Sequence, residues 1–335
     1  MATVHWRICG LILALAQAGS FAHAQPSSSA VLTFSARSTS QVAQRSLNKG
    51  GLLPLPSAGA PAGLEPFFAL SNSDIKFSFA RLTEILRDKK HEGWVLTAYP
   101  DPKTSDPLIG AGFTLSLPAR THVQSDPLNP HQFLEPSSEQ LWQAAGLDTQ
   151  RLQLILSNYQ SNLEIWGTRK YRKKIRTHEL TEQVTDDEAD GLLRVAAVQA
   201  IHNAQAYCRN FNQLTASQQM ALAQLVYQMG VNLEEFTQFL SLINQGPSLQ
   251  SASLTYSAES TPVPLTDQQD WQEVQASLIH SQWARKYSTR AISVIAMFDP
   301  DYAEGPSAAE RRVRATLRPA KHHNKKKSNG HTAKA

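Results

Sequence analysis

The chain has 335 residues, of which 41% are hydrophobic, and a formal net charge of +4 at pH 7. This length is enough for one large or two ordinary domains with a real core, and the mildly basic balance suits an acidic polymer or surface without identifying one. The two cysteines are Cys9 and Cys208. Because Cys9 falls in a predicted signal peptide, its removal excludes an internal disulfide in the mature protein.

Residues 1–24 have the features of a secretory signal peptide. Arg7 supplies a positive charge, residues 8–18 form a short apolar stretch, and Ala22-His23-Ala24 is an A-x-A cleavage site. This order predicts export to the periplasm or the extracellular space, with Gln25 as the first mature residue. No later run reaches the roughly 18 apolar residues that a membrane helix needs.

Composition divides the mature chain into three parts. Residues 25–72 are rich in Ser, Ala, Pro and Gly and predict a flexible leader. Residues 73–303 carry the periodic patterns of a folded domain, which we expect to be monomeric. Residues 304–335 end in a Lys-rich stretch and predict a basic disordered tail, either solubilising or attracted to anionic wall polymers and lipid head groups.

The folded part is predicted to be α+β and mostly α, with a small β-hairpin lobe and a larger helical lobe. Helical spacing of apolar residues predicts an amphipathic helix over residues 74–90. Residues 94–117 are short β-prone pieces broken by Pro and Gly, which predicts hairpins. Helices follow a proline-rich loop at residues 118–136, and their starts are marked by capping boxes at Thr185-x-x-Glu188, Thr215-x-x-Gln218 and Thr266-x-x-Gln269.

Two carboxylates stand where the two lobes are expected to meet. Glu92 precedes Gly93 at the end of the first helix, and Asp101 follows nine residues later on the predicted hairpin. Glycoside hydrolysis needs one protonated carboxyl group to help the leaving oxygen depart and one ionised group to direct water or stabilise positive charge. By itself this spacing is weak, since most such pairs are solvated surface charges.

The neighbouring motifs resemble those of the phage-type lysozymes, glycoside hydrolase family 24. Glu92-Gly93, Tyr99-x-Asp101 and Leu108-Ile-Gly-Ala-Gly112 are similar to the active-site hairpin of that family. Similar stretches then follow in the family's order over about residues 75–300: Val184-Thr-Asp-Asp-Glu-Ala189, Leu225-Val-Tyr-Gln-Met-Gly230, Ser281-Gln-Trp283 and Arg290-Ala291.

The resemblance implies a role for each matched residue. Glu92 falls on the general acid, Asp101 on the residue that positions or activates water, and Arg290 on an arginine that pairs with the general acid. Gly110 and Gln228 fall in the substrate-binding part of the cleft, where Gln228 is either a sugar contact or a helix residue bonded to its neighbours. The implied activity is cleavage of the β-1,4 bond between N-acetylmuramic acid (MurNAc) and N-acetylglucosamine (GlcNAc).

Leu108 departs from the family pattern. Phage-type enzymes have a threonine there that helps to hold the catalytic water, whereas leucine neither donates nor accepts a hydrogen bond. Thr104 or Ser105 could replace the missing hydroxyl, and Asp106 is a second candidate carboxylate. Three outcomes stay open: an active hydrolase, a non-catalytic peptidoglycan-binding protein with a degenerate cleft, and a transglycosylase on the same fold.

A second departure is a predicted helical insertion at residues 137–180. It contains the basic stretch Arg169-Lys-Tyr-Arg-Lys-Lys-Ile-Arg176, which is either a solvated helix face or a patch for anionic wall polymers or lipid head groups. Export and the absence of an aromatic platform argue against nucleic acid as a partner. No Cys/His cluster has metal-ligand spacing, so we expect no metal and no other cofactor.

Overall fold

The computed structural model describes residues 50–57, 59–88, 94–123, 128–244 and 268–317, all of which belong to one unit. In these ranges the protein is mostly helical, with a small three-stranded antiparallel sheet. The predicted α+β, mostly α class is therefore confirmed. The predicted signal peptide, the first half of the leader and the Lys-rich end of the tail lie outside the described residues.

The described chain begins with a short helix and a longer one. Helix α1 is Glu65–Ala69, a 3-10 helix covers Asn72–Asp74, and α2 is Phe79–Arg87. Helix α2 begins later than predicted because the Ser78 hydroxyl accepts a hydrogen bond from the Arg81 N–H and caps it. The helix also ends slightly earlier than the predicted residue 90, because the backbone at Asp88 is extended; residues 89–93 lie outside the described residues.

The predicted hairpins are present as a meander. Strand β1 is Val95–Pro100, β2 is Pro107–Gly110 and β3 is Phe113–Thr114, and the sheet order is β1-β2-β3. Tyr99 pairs with Leu108 across the first two strands. The loop at residues 101–106 connects these strands at one end of the sheet.

The predicted insertion contains two helices, α3 (Ser138–Ala144) and α4 (Thr149–Arg176). Gly167 interrupts α4 with φ of 64° and ψ of 162°, outside the helical region. A positive φ favours glycine, which has no Cβ to clash. Trp142, Leu152 and Ile155 of these two helices are buried in the core.

Two long helices form the centre of the core. Helix α5 is Asp186–Tyr207 and α6 is Ala216–Met229, and they pack against each other. The capping boxes predicted at Thr185 and Thr215 are confirmed, because each threonine caps its helix and receives the reciprocal side-chain bond. The third predicted box begins at Thr266, outside the described residues.

The C-terminal helices wrap this pair. They are α7 (Thr237–Asn244), α8 (Gln268–Ile279), α9 (Gln282–Lys286), α10 (Ser288–Ala296) and α11 (Pro306–Leu317). None of the helices in the described ranges is both long and apolar enough to cross a membrane.

The prediction of disorder from residue 304 onward is wrong for α11. Ala309 and Val313 are buried, and Arg312 forms an ion pair with Asp299. The small apolar face of this helix is masked in the sequence by the many basic residues around it.

The predicted leader also ends too late. From residue 50 to residue 72 the chain contributes to the core through Leu52, Leu64, Phe67 and other apolar side chains. Phe67 is fully buried, with its ring edge against His202 at 5.3 Å between centroids. Composition gave no sign of this packing, because these apolar residues are scattered among Pro, Gly and Ser.

If residues 50–72 belong to the folded domain, Phe67→Ala should destabilise it. Removing a fully buried phenylalanine from a core costs about 3–5 kcal/mol. Glu65→Ala, at an exposed position of the same helix, should change stability by no more than about 0.5 kcal/mol. Urea unfolding of both variants measures the difference, and equal midpoints would exclude this segment from the core.

Candidate functional site

A cleft of about 620 Å³ lies beside the sheet, at the end where the loop of residues 101–106 connects β1 to β2. Its walls are the end of β1, β2, the start of β3, the second part of α4, the C-terminal end of α6, and residues 286–290 at the α9–α10 junction. Asp101, Gln228 and Arg290, which come from three distant sequence motifs, all line it. Its volume falls within the range of ligand-binding clefts.

Asp101 stands at the first position of the loop between β1 and β2. Its side-chain Oδ1 accepts hydrogen bonds from the N–H groups of Lys103 (2.7 Å) and Thr104 (3.0 Å). Its own N–H donates to the carbonyl of Asp106 at 2.8 Å. These bonds fix the carboxylate within a tight turn, as aspartate commonly does.

The same contacts set the protonation of Asp101. Partial burial raises its pKa, but the N–H groups of Thr104 and Lys103, the Thr104 side chain and the charge of Lys103 outweigh burial. The pKa of Asp101 therefore lies below its ordinary value of 3.8. At neutral pH the group is an ionised carboxylate that can orient water or stabilise positive charge.

Helix α4 holds this loop from outside. Ser105 has a φ of 65°, a left-handed conformation that a non-glycine residue rarely adopts. The Tyr159 hydroxyl donates to the Ser105 carbonyl, and the Ser105 and Thr168 hydroxyls lie 3.0 Å apart. Burial raises the pKa of Tyr159 to about 12, so this phenol remains a donor at neutral pH.

Gln228 and Arg290 are positioned by the helical core. Gln228 lies near the end of α6, and its Oε1 accepts a hydrogen bond from the Trp283 indole N–H at 3.0 Å. With the carbonyl oxygen so engaged, its amide nitrogen is the group suited to meet a ligand acceptor. Arg290, in α10, is 9% exposed, and a guanidinium so buried needs compensating partners.

Glu92, the predicted general acid, lies outside the described residues. Two residues that flank the gap at 89–93, Arg87 and Trp94, both bind Asp186 at the start of α5. Arg87 forms hydrogen bonds of 2.6 and 2.7 Å to the Asp186 carboxylate, and the Trp94 indole N–H donates to it at 2.8 Å. The Arg87 guanidinium also lies 4.1 Å from the centroid of the Trp94 ring.

Three predicted positions have roles other than those expected. Gly110 is buried and is not a lining residue of the cleft, and its φ of 61° is a backbone conformation that favours glycine. Its neighbour Gly112 lines the cleft instead. Thr104 is bonded within the loop, to Asp101 and to the Asp106 N–H, and is not a lining residue. The Ser105 hydroxyl is likewise engaged, by Thr168.

Leu108 does line the cleft, and it stands at the position where the resemblance to phage-type lysozymes predicts a threonine hydroxyl. Asp106, the second candidate carboxylate, is exposed on the loop and is not a lining residue. Asp101 is consequently the acidic side chain in the cleft wall, as far as the described residues define it.

Sequence reasoning missed several lining residues. Tyr227 could have been predicted, because it is next to Gln228 in the same motif. Its hydroxyl donates a hydrogen bond to the Ala111 carbonyl at 2.9 Å, and this bond joins α6 to the hairpin. Lys286 is the last residue of α9, at the junction that precedes Arg290 in α10, and could have been found from its closeness in sequence to Arg290. Arg172 had no such signal, because it reaches the cleft from the insertion.

The cleft continues beyond Gly112, Thr114 and Tyr227 into a smaller groove of about 200 Å³. Glu135 and Asn203 line this continuation. Because the cleft and the groove meet at these shared residues, together they suit an elongated ligand better than a compact one.

Two other cavities are as large as the cleft, but their charged groups already serve structural roles. In a cavity of about 770 Å³ beside α3, Arg194 donates to the Leu52 carbonyl and Asp148 caps α4. In a cavity of about 620 Å³ beside α11, Asp299 pairs with Arg312. Neither matches the predicted site residues.

The Asp101 loop makes a prediction about protonation. Thr104→Val removes one hydroxyl bond to Asp101 and should raise the pKa of that carboxyl toward 3.8 without reaching it, because the two N–H donors remain. NMR titration of carbon-labelled aspartates, with Asp101→Asn for assignment, measures the shift.

Thr168→Val is the control, since it removes a hydroxyl partner of Ser105 that does not touch Asp101. An unchanged Asp101 titration in Thr104→Val would contradict the proposed origin of the low pKa. A folded-state pKa below the unfolded value also means that Asp101 stabilises the fold above about pH 4 and loses this contribution as pH falls through the folded pKa.

No protein-family model matches the chain, and no curated protein matches it. A function is therefore inferred from this chain's own residues. The cleft presents an ionised carboxylate, a buried guanidinium, a side-chain amide and exposed cationic side chains. This set can orient water or stabilise positive charge, and it can bind an elongated ligand that carries polar and anionic groups.

Proposed function

We propose that the protein is an exported peptidoglycan hydrolase that cleaves the β-1,4 bond between MurNAc and GlcNAc. The observation that carries the proposal is the meeting of Asp101, Gln228 and Arg290 in one cleft. Each belongs to a different sequence motif, and the first and the last are 189 positions apart in the chain. The proposal includes a lysozyme-like arrangement, with the small sheet on one side of the cleft and helices on the other.

In this mechanism Asp101 acts as the ionised carboxylate. Its low pKa supports that role, because a base or electrostatic stabiliser must be charged at working pH. Following the phage-type pattern, Asp101 directs a water molecule to the anomeric carbon with inversion, which requires a separation of roughly 6.5–9.5 Å between the two carboxyl groups.

Glu92 is the proposed proton donor and remains a prediction from sequence. Its segment is short, and the residues that bracket it, Arg87 and Trp94, are fixed to Asp186. We propose that Arg290 pairs with Glu92, since a buried guanidinium is stabilised by a carboxylate through charge-assisted hydrogen bonds. Such a pair would hold the acid in position while the leaving oxygen departs.

Leu108 favours a second candidate function. It lines the cleft without a hydrogen-bonding group, and the nearby hydroxyls of Thr104 and Ser105 are bonded elsewhere. If water is poorly held at this point, the protein binds peptidoglycan without cleaving it or transfers the glycosyl group to another acceptor. Pull-down on insoluble peptidoglycan with no soluble product identifies the binding protein, and anhydro-sugar or transglycosylated ends identify the transferase.

The hydrolase makes a direct prediction about both carboxylates. Glu92→Gln and Asp101→Asn should each reduce muropeptide release from purified peptidoglycan by about 100-fold or more, as expected for loss of a general acid or base. In Asp101→Asn the amide oxygen can still accept the two N–H bonds of the loop, so the fold of the loop is retained.

Matched controls are available for both substitutions. Glu84→Gln lies on the exposed face of α2, and Asp106→Asn lies in the same loop as Asp101. Both should keep wild-type rates. Equal and negligible release by the wild type and Glu92→Gln would refute the catalytic proposal.

Asp186 is predicted to be a positioning residue for the Glu92 segment. Asp186→Asn weakens the ionic contact with Arg87 and should lower kcat of muropeptide release more than it changes KM, because the acid is displaced and the substrate contacts are not. Asp187→Asn removes the same charge from the same helical turn at an exposed position, so it separates positioning from the helix-dipole effect. Equal kcat values for the two variants would show that Asp186 does not position the acid.

A further inference from the structure

The basic half of α4 folds back on the first half. Tyr159 and Tyr171 are twelve residues apart, which in a straight helix would separate them by about 18 Å. Their ring centroids instead lie 5.5 Å apart, and Trp166 packs edge-on against Tyr171 at 5.4 Å. The reversal occurs at Gly167, where the backbone leaves the helical region.

This fold-back places Arg172 in the cleft. Its neighbour Tyr171 is fully buried in the aromatic contact, so the backbone at Arg172 is held in place while its side chain remains exposed. Arg172 lines the same cleft as Asp101 and Gln228. Another base of this stretch, Lys174, is paired with Glu179 at 2.6 Å, whereas Arg172 forms no ion pair with any residue that the structure describes.

Lys286 brings a second exposed cation to the cleft from the end of α9. A third, Lys103, stands on the Asp101 loop, and contact with Lys286 and the positive charge of that group lower the pKa of Lys103. Two ammonium groups this close repel each other. An anion bound between the loop and α9 would relieve that repulsion.

We propose that Arg172 and Lys286 form a carboxylate-binding subsite that selects glycan strands containing MurNAc. The subsite rests on the proposed function and adds a specificity determinant to it. MurNAc differs from GlcNAc by a lactyl group whose carboxylate is free or joined to an acidic stem peptide. A guanidinium recognises a carboxylate with two parallel hydrogen bonds, and the Lys286 ammonium in the same cleft adds positive charge. The insertion at residues 137–180 then has a function, because it contributes Arg172, which would bind the MurNAc substituent, to the wall of the cleft.

The test compares binding of soluble ligands to the mature chain carrying Glu92→Gln, which prevents turnover. The ligands are chitotetraose, which is neutral, the peptide-free tetrasaccharide of alternating GlcNAc and MurNAc, and the same tetrasaccharide with stem peptides. Isothermal titration calorimetry gives each Kd. We expect the parent to prefer the carboxylated ligands, and Arg172→Gln to lose about tenfold in affinity for them with no change for chitotetraose.

Arg169→Gln is the matched control, since it makes the same substitution one turn earlier in the same helix, at an exposed position outside the cleft wall. It should bind all three ligands like the parent. A loss in Arg172→Gln for the peptide-free ligand assigns the subsite to the lactyl carboxylate, and a loss confined to the peptide-bearing ligand assigns it to the stem.

The two proposals fail separately. If the wild type releases muropeptides but Arg172→Gln binds every ligand as Arg169→Gln does, the subsite is refuted and the hydrolase stands. If Arg172→Gln shows the selective loss but the wild type releases nothing, the subsite stands and catalysis is refuted. An equal loss for chitotetraose and the carboxylated ligands would show that Arg172 supports the cleft structurally, which also overturns the subsite.

Discussion

The hydrogen bond from the Tyr159 hydroxyl to the Ser105 carbonyl fixes the loop on which the candidate site depends. Ser105 has a positive φ, and holding a non-glycine residue there costs about 1–3 kcal/mol. The bond from Tyr159, which lies on α4, offsets that cost from outside the loop. Because the loop keeps this conformation, two N–H groups point at the Asp101 carboxylate and keep it ionised. The protonation state of the cleft thus depends on α4.

The start of α5 fixes strand β1 in a similar way. The Leu96 carbonyl of β1 accepts hydrogen bonds from the Gln183 and Val184 N–H groups at 2.8 and 3.1 Å, and the Ala98 N–H donates to the Gln183 side chain at 2.7 Å. A few residues further along the chain, Asp186 binds Arg87 and Trp94, which flank the segment that contains Glu92. The capping box at Thr185 sets where α5 begins, so a local signal in the sequence also fixes the placement of the sheet.

Sequence therefore predicted the features that depend on neighbouring residues. The capping boxes at Thr185 and Thr215, the hairpins and the helices within residues 137–180 are all short-range patterns, and all are confirmed. Asp101, Gln228 and Arg290 were found because each lies in a recognisable motif. What sequence did not predict depends on tertiary contacts: the packing of Phe67, the apolar face of α11 and the arrival of Arg172 in the cleft. Gly110 is buried and does not line the cleft, and its positive φ accounts for the glycine; motif position alone does not separate such a backbone role from ligand contact.

Burial divides the charges of the cleft into two groups with different uses. Arg290 is buried, so its guanidinium is costly to leave uncompensated and is suited to a permanent carboxylate partner within the protein. Arg172 and Lys286 are exposed, so they stay solvated until a ligand arrives and lose less on exchanging water for an anion. Helix α4 serves both Asp101 and Arg172, since Tyr159 on its first half fixes the Asp101 loop and Tyr171 on its second half holds Arg172 in place. The reversal at Gly167 is what allows one helix to do both, and in the proposed enzyme it couples the position of the reacting carboxylate to the recognition of the MurNAc substituent.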